Sequence, residues 1–325
     1  MPIVVNSNVA ATTASFNLSH ANDALRKSLA RLSSGKRIVN PADDAGGMAV
    51  AYKLNSALQR TEAVRQNIQN GISYLQVQDG ALAVTGKILS RMAELRTMAS
   101  DITKNSSDIE NYSKEFVELQ SQMHQIRQQK FNGLSLFAVS GMATADFSGN
   151  PPQININSDG GVYNSSNGTQ TYDKYSRTLY THESGLEQDG SISLNVVNLQ
   201  FVLSLGASGD LGGFNNPGTS DTIALNGTQF LRDIEDFDIS LFTRAIEKLS
   251  DMRAENGAEQ NRLSMASDLL ALNQTNLEAA HGRIMDADIA LESTRMARQN
   301  VLVQASASMV AQANQLTSIA LTVLG

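Results

Sequence analysis

Four histidines, His20, His124, His182 and His281, are the residues of this chain best suited to proton transfer or metal binding. A zinc site needs paired ligands at helix or turn spacing. None of the four has a second His at such a spacing. His182-Glu183 opens like a metalloprotease helix, but Leu186 stands where the second His belongs, so His182 is expected in a solvated loop. The chain has no Cys, which excludes disulfides, thiolate metal sites and a Cys nucleophile. No G-x-G-x-x-G follows a strand pattern and no Walker loop is present. Gly46-Gly47 lies at a helix start, a place that can hold an anion. Asp43 and Asp44 beside it disfavour phosphate and are expected to serve the helix dipole instead. The sequons at Asn164-Ser165-Ser166 and Asn167-Gly168-Thr169 carry little weight without a secretory signal. Met48, Met92, Met123, Met296 and Met309 fall mostly on helix stripes and read as core or interface packing residues. No catalytic, cofactor or metal site is therefore expected, and no enzyme.

The patterns that would position side chains are far stronger than the chemistry. Leu54, Thr61, Ile68, Leu75, Leu82 and Leu89 recur every seven residues. Phe242, Leu249, Asn256, Leu263, Leu270, Leu277 and Ile284 do the same near the other end. Such heptads demand a partner helix. Asn40-Pro41-Ala42-Asp43-Asp44 predicts a helix start, with Asn40 as cap and Pro41 in the first turn. That helix can run to about Ser100, or roughly 84 Å at 1.5 Å per residue, too long to stand alone. Asn105-Ser106-Ser107-Asp108 restarts a helix to about Gln129, expected to fold back against it, and Phe131-Asn132-Gly133 predicts a turn.

Towards the ends the stripes thin. Leu18, Leu25 and Leu32 lie on a helix from about Ser7 that Gly35 would end in a left-handed cap. Asp286-Ala287-Asp288 starts a last helix carrying Ile289, Met296, Val303 and Val310. Both helices are rich in Ala and Ser, and each alone is marginal in water. They are predicted to pair with each other and to order fully only when neighbouring copies cover them.

Between the helical ends the composition changes. Thirteen of the 23 glycines and three of the five prolines fall between Gly141 and Phe230. Ile154 and Ile156 alternate with polar residues, as do Ile192, Leu194 and Val196. Val197, Leu199, Phe201, Leu203 and Leu205 continue in the opposite phase, predicting a bulge near Val196. Asn226-Gly227 predicts a hairpin, and Asp159 to Gln170 an exposed loop. Helix is expected again from near Asp236.

A formal net charge of −7 argues against nucleic-acid binding. No run of about twenty apolar residues exists, so no membrane insertion is expected. Met1 to Asn8 lacks the charged and apolar regions of a secretory signal. The terminal helices lack the Lys/Arg-rich face of membrane-lytic helices.

Leu29-Ala30-Arg31-Leu32-Ser33-Ser34-Gly35-Lys36-Arg37-Ile38, followed by Asn40-Pro41-Ala42-Asp43-Asp44-Ala45-Gly46-Gly47, resembles the N-terminal signature of bacterial flagellins. Ala305-Ser306-Ala307-Ser308-Met309-Val310-Ala311-Gln312-Ala313-Asn314-Gln315 resembles their C-terminal signature, and Phe131-Asn132-Gly133 their internal turn. The last residues, Leu316 to Gly325, lack the Pro and terminal Arg of many relatives.

The resemblance implies a mainly α fold: a long antiparallel coiled-coil-like helical rod built by both chain ends, with a small β-rich central insert. Residues 1–43 and 286–325 would form an inner-tube helical pair, 44–141 and 236–285 the rod, and 142–235 a variable surface domain. It implies a structural subunit that polymerises into the extracellular flagellar filament for swimming, exported unfolded through the type III apparatus and assembled at the tip. Leu18, Leu25, Leu32, Ile289, Met296, Val303 and Val310 would carry self-assembly. Implied partners are further copies of the chain, an export chaperone, cap proteins and hook-junction proteins.

Arg91, Glu94 and Leu95 resemble the contact motif for Toll-like receptor 5, with Glu115 or Glu118 on the second contact helix. Arg91 and Glu94 also read as a local ion pair. A hook–filament junction protein of the same superfamily is the alternative function.

Overall fold

The computed structural model describes residues 8–138, 154–165, 168–199, 202 and 234–324, with side chains described outside 154–174, 236 and 316–324. Helices come from both ends of the chain and a small strand-containing segment lies between them, as expected. Five helices are described: α1 (Val9–Ser34), α2 (Ala45–Ala99), α3 (Ser106–Arg127), α4 (Ile239–Met285) and α5 (Ile289–Leu324). Five strands lie between α3 and α4: β1 (Lys130–Phe131), β2 (Leu134–Ser135), β3 (Ile154–Ser165), β4 (Gly168–Tyr180) and β5 (Ser191–Val196). A 3-10 turn at Ile234–Asp236 precedes α4, so helix proper resumes three residues later than expected. Among the described residues, no helix is long and apolar enough to cross a membrane.

Local signals set most boundaries. Asn8 caps α1 through a bond from the Ala11 amide, and Gly35 ends it at φ 68°. Asn105 and Asp108 form a reciprocal capping box at α3, satisfying two helix-end groups at once. Asn132 and Gly133 both have positive φ, 50° and 80°, which closes the tight β1–β2 hairpin.

Three expectations need correction. Helix α2 does not begin at Pro41. Residues 41–43 form a turn, with the Asp43 amide bonded to the Asn40 carbonyl at 2.9 Å. Asp44 is the cap, its Oδ1 accepting from the Gly47 amide at 2.8 Å. The run from Asp159 to Gln170 is largely not a loop, because β3 and β4 pair antiparallel from Ile154↔Arg177 to Ser165↔Gly168, with a register shift between Asn157 and Gly161. Pairing with β4 supplies the backbone hydrogen bonds that the composition hid. Nor does β5 continue through Val197: it ends at Val196, and the Val202 amide donates to the Asn198 carbonyl, a helical spacing. Phe201, Leu203, Leu205 and Asn226-Gly227 lie outside the described residues.

Two compact units emerge, one of residues 1–60 and 273–325, the other of residues 61–272. In the first, α1 and α5 pair antiparallel. Asn8 Nδ2 donates to the Ala313 carbonyl at 2.8 Å at one end, and Lys36 pairs with Asp286 at the other. A small core of Ile38, Ala51 and Met285, flanked by Met48 and Ile284, lies where α2 begins and α4 ends.

The second unit holds the main core. Ile68, Leu75, Leu82 and Leu89 of α2 join Phe116, Met123 and Ile126 of α3, and Phe242, Leu249 and Leu263 of α4. Phe116, Phe237 and Phe242 form an aromatic cluster with ring centroids 5.4–6.0 Å apart. In the β3–β4–β5 sheet, β5 pairs with β4 from Tyr175↔Val196 to Tyr180↔Ser191. Ile192 and Leu194 of β5 are buried in the same core as the helices.

Candidate assembly surface

The α1–α5 pair buries few residues, and apart from Glu292 they are small. Ala21 and Ser28 of α1 and Ala313 of α5 are buried. Leu18, Leu25 and Leu32 are half-buried at the intervening positions of α1, as are Met296, Val303 and Val310 on α5. These six expected assembly residues therefore line the face that pairs within one chain. Ile289 does not join them; it is the first residue of α5 and is 53% exposed.

Large apolar side chains remain outside the seam. Phe16 of α1 and Val301 and Met309 of α5 are each 63% exposed, and Val9, Leu29, Leu291 and Leu302 are exposed as well. Phe16, Val301 and Leu302 fall between the heptad rows, and Met309, expected as a packing residue, is exposed within the single chain. The signal that could have found them is the excess of apolar residues beyond one stripe.

At the other end of the pair, the chain crosses between helices. The Arg37 amide donates to the Met285 carbonyl at 2.6 Å. Its guanidinium donates from Nε and Nη2 to the Ile284 carbonyl at 3.0 and 2.8 Å, capping the end of α4. The Ala287 amide donates to the Gly35 carbonyl at 2.9 Å. Asp288 caps α5 through the amides of Ala290 and Leu291. Asp43 lies near Lys27 and Arg31, at 3.9 and 4.0 Å. No spacing rule singled out Arg37, since its partner carbonyl is 247 residues away.

In the second unit, Arg91 bridges two helices. It donates to both Glu115 oxygens at 2.7 and 3.1 Å, and to Glu94 at 3.1 Å. These hydrogen bonds, Glu115 first and Glu94 second, raise the Arg91 pKa. The local ion pair with Glu94 is thus present, and Glu115 is the partner from α3. Leu95 differs from the expectation of a surface contact. It is 0% exposed, packed in the main core on the side of α2 that also buries Ile88 and Met92.

The histidines are dispersed. His20 packs edge-on against Phe16, His124 bonds Gln128 within α3, and His182 bonds Ser184 in the β4–β5 connection. Glu183 accepts from Thr61 at 3.3 Å. The Gly47 amide, the donor an anion would use, is already taken by Asp44. Among the described residues, no group of three or more His, Asp or Glu is placed to hold a metal.

Both helical ends of the chain match known proteins. Residues 5–141 match the bacterial flagellin N-terminal helical region, and residues 239–323 match the bacterial flagellin C-terminal helical region. Flagellin of Bacillus subtilis is 31% identical over 320 residues, covering 96% of each chain. Flagellin A of Vibrio anguillarum is 28% identical over the whole of both chains. A putative flagellar hook-associated protein from Vibrio parahaemolyticus shares the fold at TM-score 0.51 and 15% identity, over 75% of this chain and 100% of its own. The class defined is a helical structural protein of the bacterial flagellum. The chain belongs to the bacterial flagellins, and it is a structural subunit of the flagellar filament, which lies outside the cell.

Proposed function

We propose that the chain polymerises chiefly through the outward faces of α1 and α5. The carrying observation is that the pair uses its small-residue seam internally while leaving Phe16, Leu29, Val301, Leu302 and Met309 exposed. Covering them in neighbouring copies would contribute roughly 25 cal/mol per Å² of apolar surface, against the cost of ordering two helices. Leu18, Leu25, Leu32, Met296, Val303 and Val310 then act by holding the pair together, and Ile289 by direct contact. Head-to-tail contacts that do not close give a helical tube.

In this reading the chain leaves the cell unfolded by the flagellar type III route and folds at the filament tip. An export chaperone covers α5 beforehand, and cap and hook-junction proteins meet the same helices. The chain has no catalytic role. Recognition by Toll-like receptor 5, where it occurs, would use Arg91, Glu94 and Glu115 at the surface, with Leu95 supporting them from the core.

Removing residues 289–325 tests the reading. The truncated chain should keep a cooperative unfolding transition for residues 61–272 yet form no filaments by electron microscopy. Filaments from the truncated chain would refute it. Purified full-length protein that stays monomeric under assembly conditions would instead favour a junction role.

A further inference from the structure

The heptad rows that build the second unit leave the relative position of its two long helices ambiguous. A Cβ on Gly71 would sit 3.5 Å from Leu263, and one on Gly86 would sit 3.1 Å from Leu249. Asn256 Nδ2 donates to the Leu75 carbonyl at 3.3 Å. Helices α2 and α4 therefore run antiparallel, with the row Ile68, Leu75, Leu82, Leu89 facing Leu263, Asn256, Leu249, Phe242. Sliding one helix by seven residues, about 10 Å, would again set row against row. No tight turn fixes the choice, because α2 ends at Ala99 and α4 begins at Ile239.

One layer breaks the degeneracy. Gln78 and Asn256 are 0% and 1% exposed. Asn256 Nδ2 donates to Gln78 Oε1 at 2.7 Å, and Asn256 Oδ1 accepts from Gln260 at 2.6 Å. Gln78 Nε2 donates to the carbonyls of Leu136 and Asn195 at 2.7 and 3.1 Å. Asn195 is held in turn by Glu259 at its amide, 2.9 Å, and by Glu255 at its side chain, 2.8 Å. The layer thus joins α2, α4, β5 and the segment after β2, with each amide nitrogen and oxygen of the pair bonded. After a slide of seven residues, Gln78 would lie level with Leu249 or Leu263, and Asn256 between Ile68 and Gly71 or between Leu82 and Thr85. The bond between the two amides would then be lost and Gln78 Oε1 would be buried without a donor, a costly state, while Asn256 Oδ1 would keep only Gln260 of its own helix.

We infer that the Gln78–Asn256 layer selects the register of α2 against α4. It specifies one alignment among several that apolar matching alone would accept, as a single buried Asn does in a coiled coil. The inference concerns the folding of one chain and stands apart from the assembly reading.

The chain has no Cys, so reporter thiols can be placed without interference. Arg253 and Asp79 face each other, with Arg253 Nε donating at 2.8 Å. The pair Asp79→Cys with Arg253→Cys, treated with a short bismaleimide, reports the observed register. Asp79→Cys with Ile246→Cys reports a slide of seven residues and leaves the Gln78–Asn256–Gln260 bonds untouched. Each pair is placed in the native background and in a Gln78→Leu/Asn256→Leu background, and the full chain is refolded from denaturant.

The native background should give only the 79–253 link. The Leu background should raise a slid link from undetectable to at least about a tenth of the 79–253 yield. A Leu background that gives only the 79–253 link overturns the inference. If the double variant does not regain helical circular dichroism, Asn256→Leu alone is scored in the same way, since Gln78 then keeps its bonds to Leu136 and Asn195. Failure of that variant to refold also overturns the inference, because the layer would then be required for the fold itself.

Discussion

Gly46 and Gly47 are adjacent, and helix propensity treats them alike, yet the structure separates them sharply. A Cβ at Gly46 meets only Asp44 Oδ1 at 3.7 Å, an ordinary contact. A Cβ at Gly47 would lie 2.5 Å from Asp44 Oδ2, 2.9 Å from Asp44 Cγ and 2.9 Å from Ile38 Cδ1. Gly47→Ala must therefore turn the Asp44 carboxylate away from the amide it caps, at a cost of about 1 kcal/mol. It must also push Ile38, 2% exposed, within the small core of Ala51 and Met285, at a cost of about 1–3 kcal/mol. Replacing Gly in a helix returns at most about 1 kcal/mol. The net expectation is a loss of about 1–3 kcal/mol for Gly47→Ala. Gly46→Ala should instead range from neutral to about 1 kcal/mol more stable. Urea unfolding of the monomer, followed by circular dichroism and assigned to the unit of residues 1–60 and 273–325, measures both. Equal stability of the two variants would refute the argument from steric contact.

Lys248 gives a pH test. Burial lowers its pKa to about 8, with Arg244 adding to the effect. Between that value and the ordinary lysine range the unfolded chain binds more protons, so stability should rise with pH from about 8 to about 10.5, by about 3 kcal/mol. Lys248→Met should flatten that rise in denaturant melts. Leu95→Ala should cost about 2–5 kcal/mol of stability, since it empties a core position. Receptor signalling by that variant should fall only as its thermal unfolding does, whereas Arg91→Ala should change signalling with the melting curve unmoved. Phe16→Asp combined with Val301→Asp should abolish filaments in the electron microscope while monomer helicity is kept. Filaments of normal length would remove the outward faces of α1 and α5 from the assembly account.

Much of this fold was legible because its signals are local. Gly35, the Asn105 capping box, the Asn132-Gly133 hairpin and the Asp288 cap each act within a few residues. The errors arose where distant partners decide. Asn40-Pro41 has every local mark of a helix start, but residues 36 and 37 are drawn alongside 285 and 286, and the chain makes a turn before entering α2. The glycine- and serine-rich run after Asp159 reads as loop until β4 supplies its hydrogen bonds. In the assembly surface, the heptad count found the seam of α1 and α5 but not the faces left over. It could not find Arg37, whose role exists only when the two ends of the chain meet. Leu95 was expected at the surface from the resemblance alone, and its burial follows only from the packing of the helices around α2.

The bonds that close the terminal pair span 247 residues at Arg37 and 305 at Asn8. A ribosome releases the first helix long before its mate exists. Closure of this unit therefore cannot begin before α5 has been made. Until then, α1 lacks the partner against which Leu18, Leu25 and Leu32 are half-buried, and a lone helix of this kind is marginal in water. The topology works as a timer for this unit: it completes only when both helices are free in the same space.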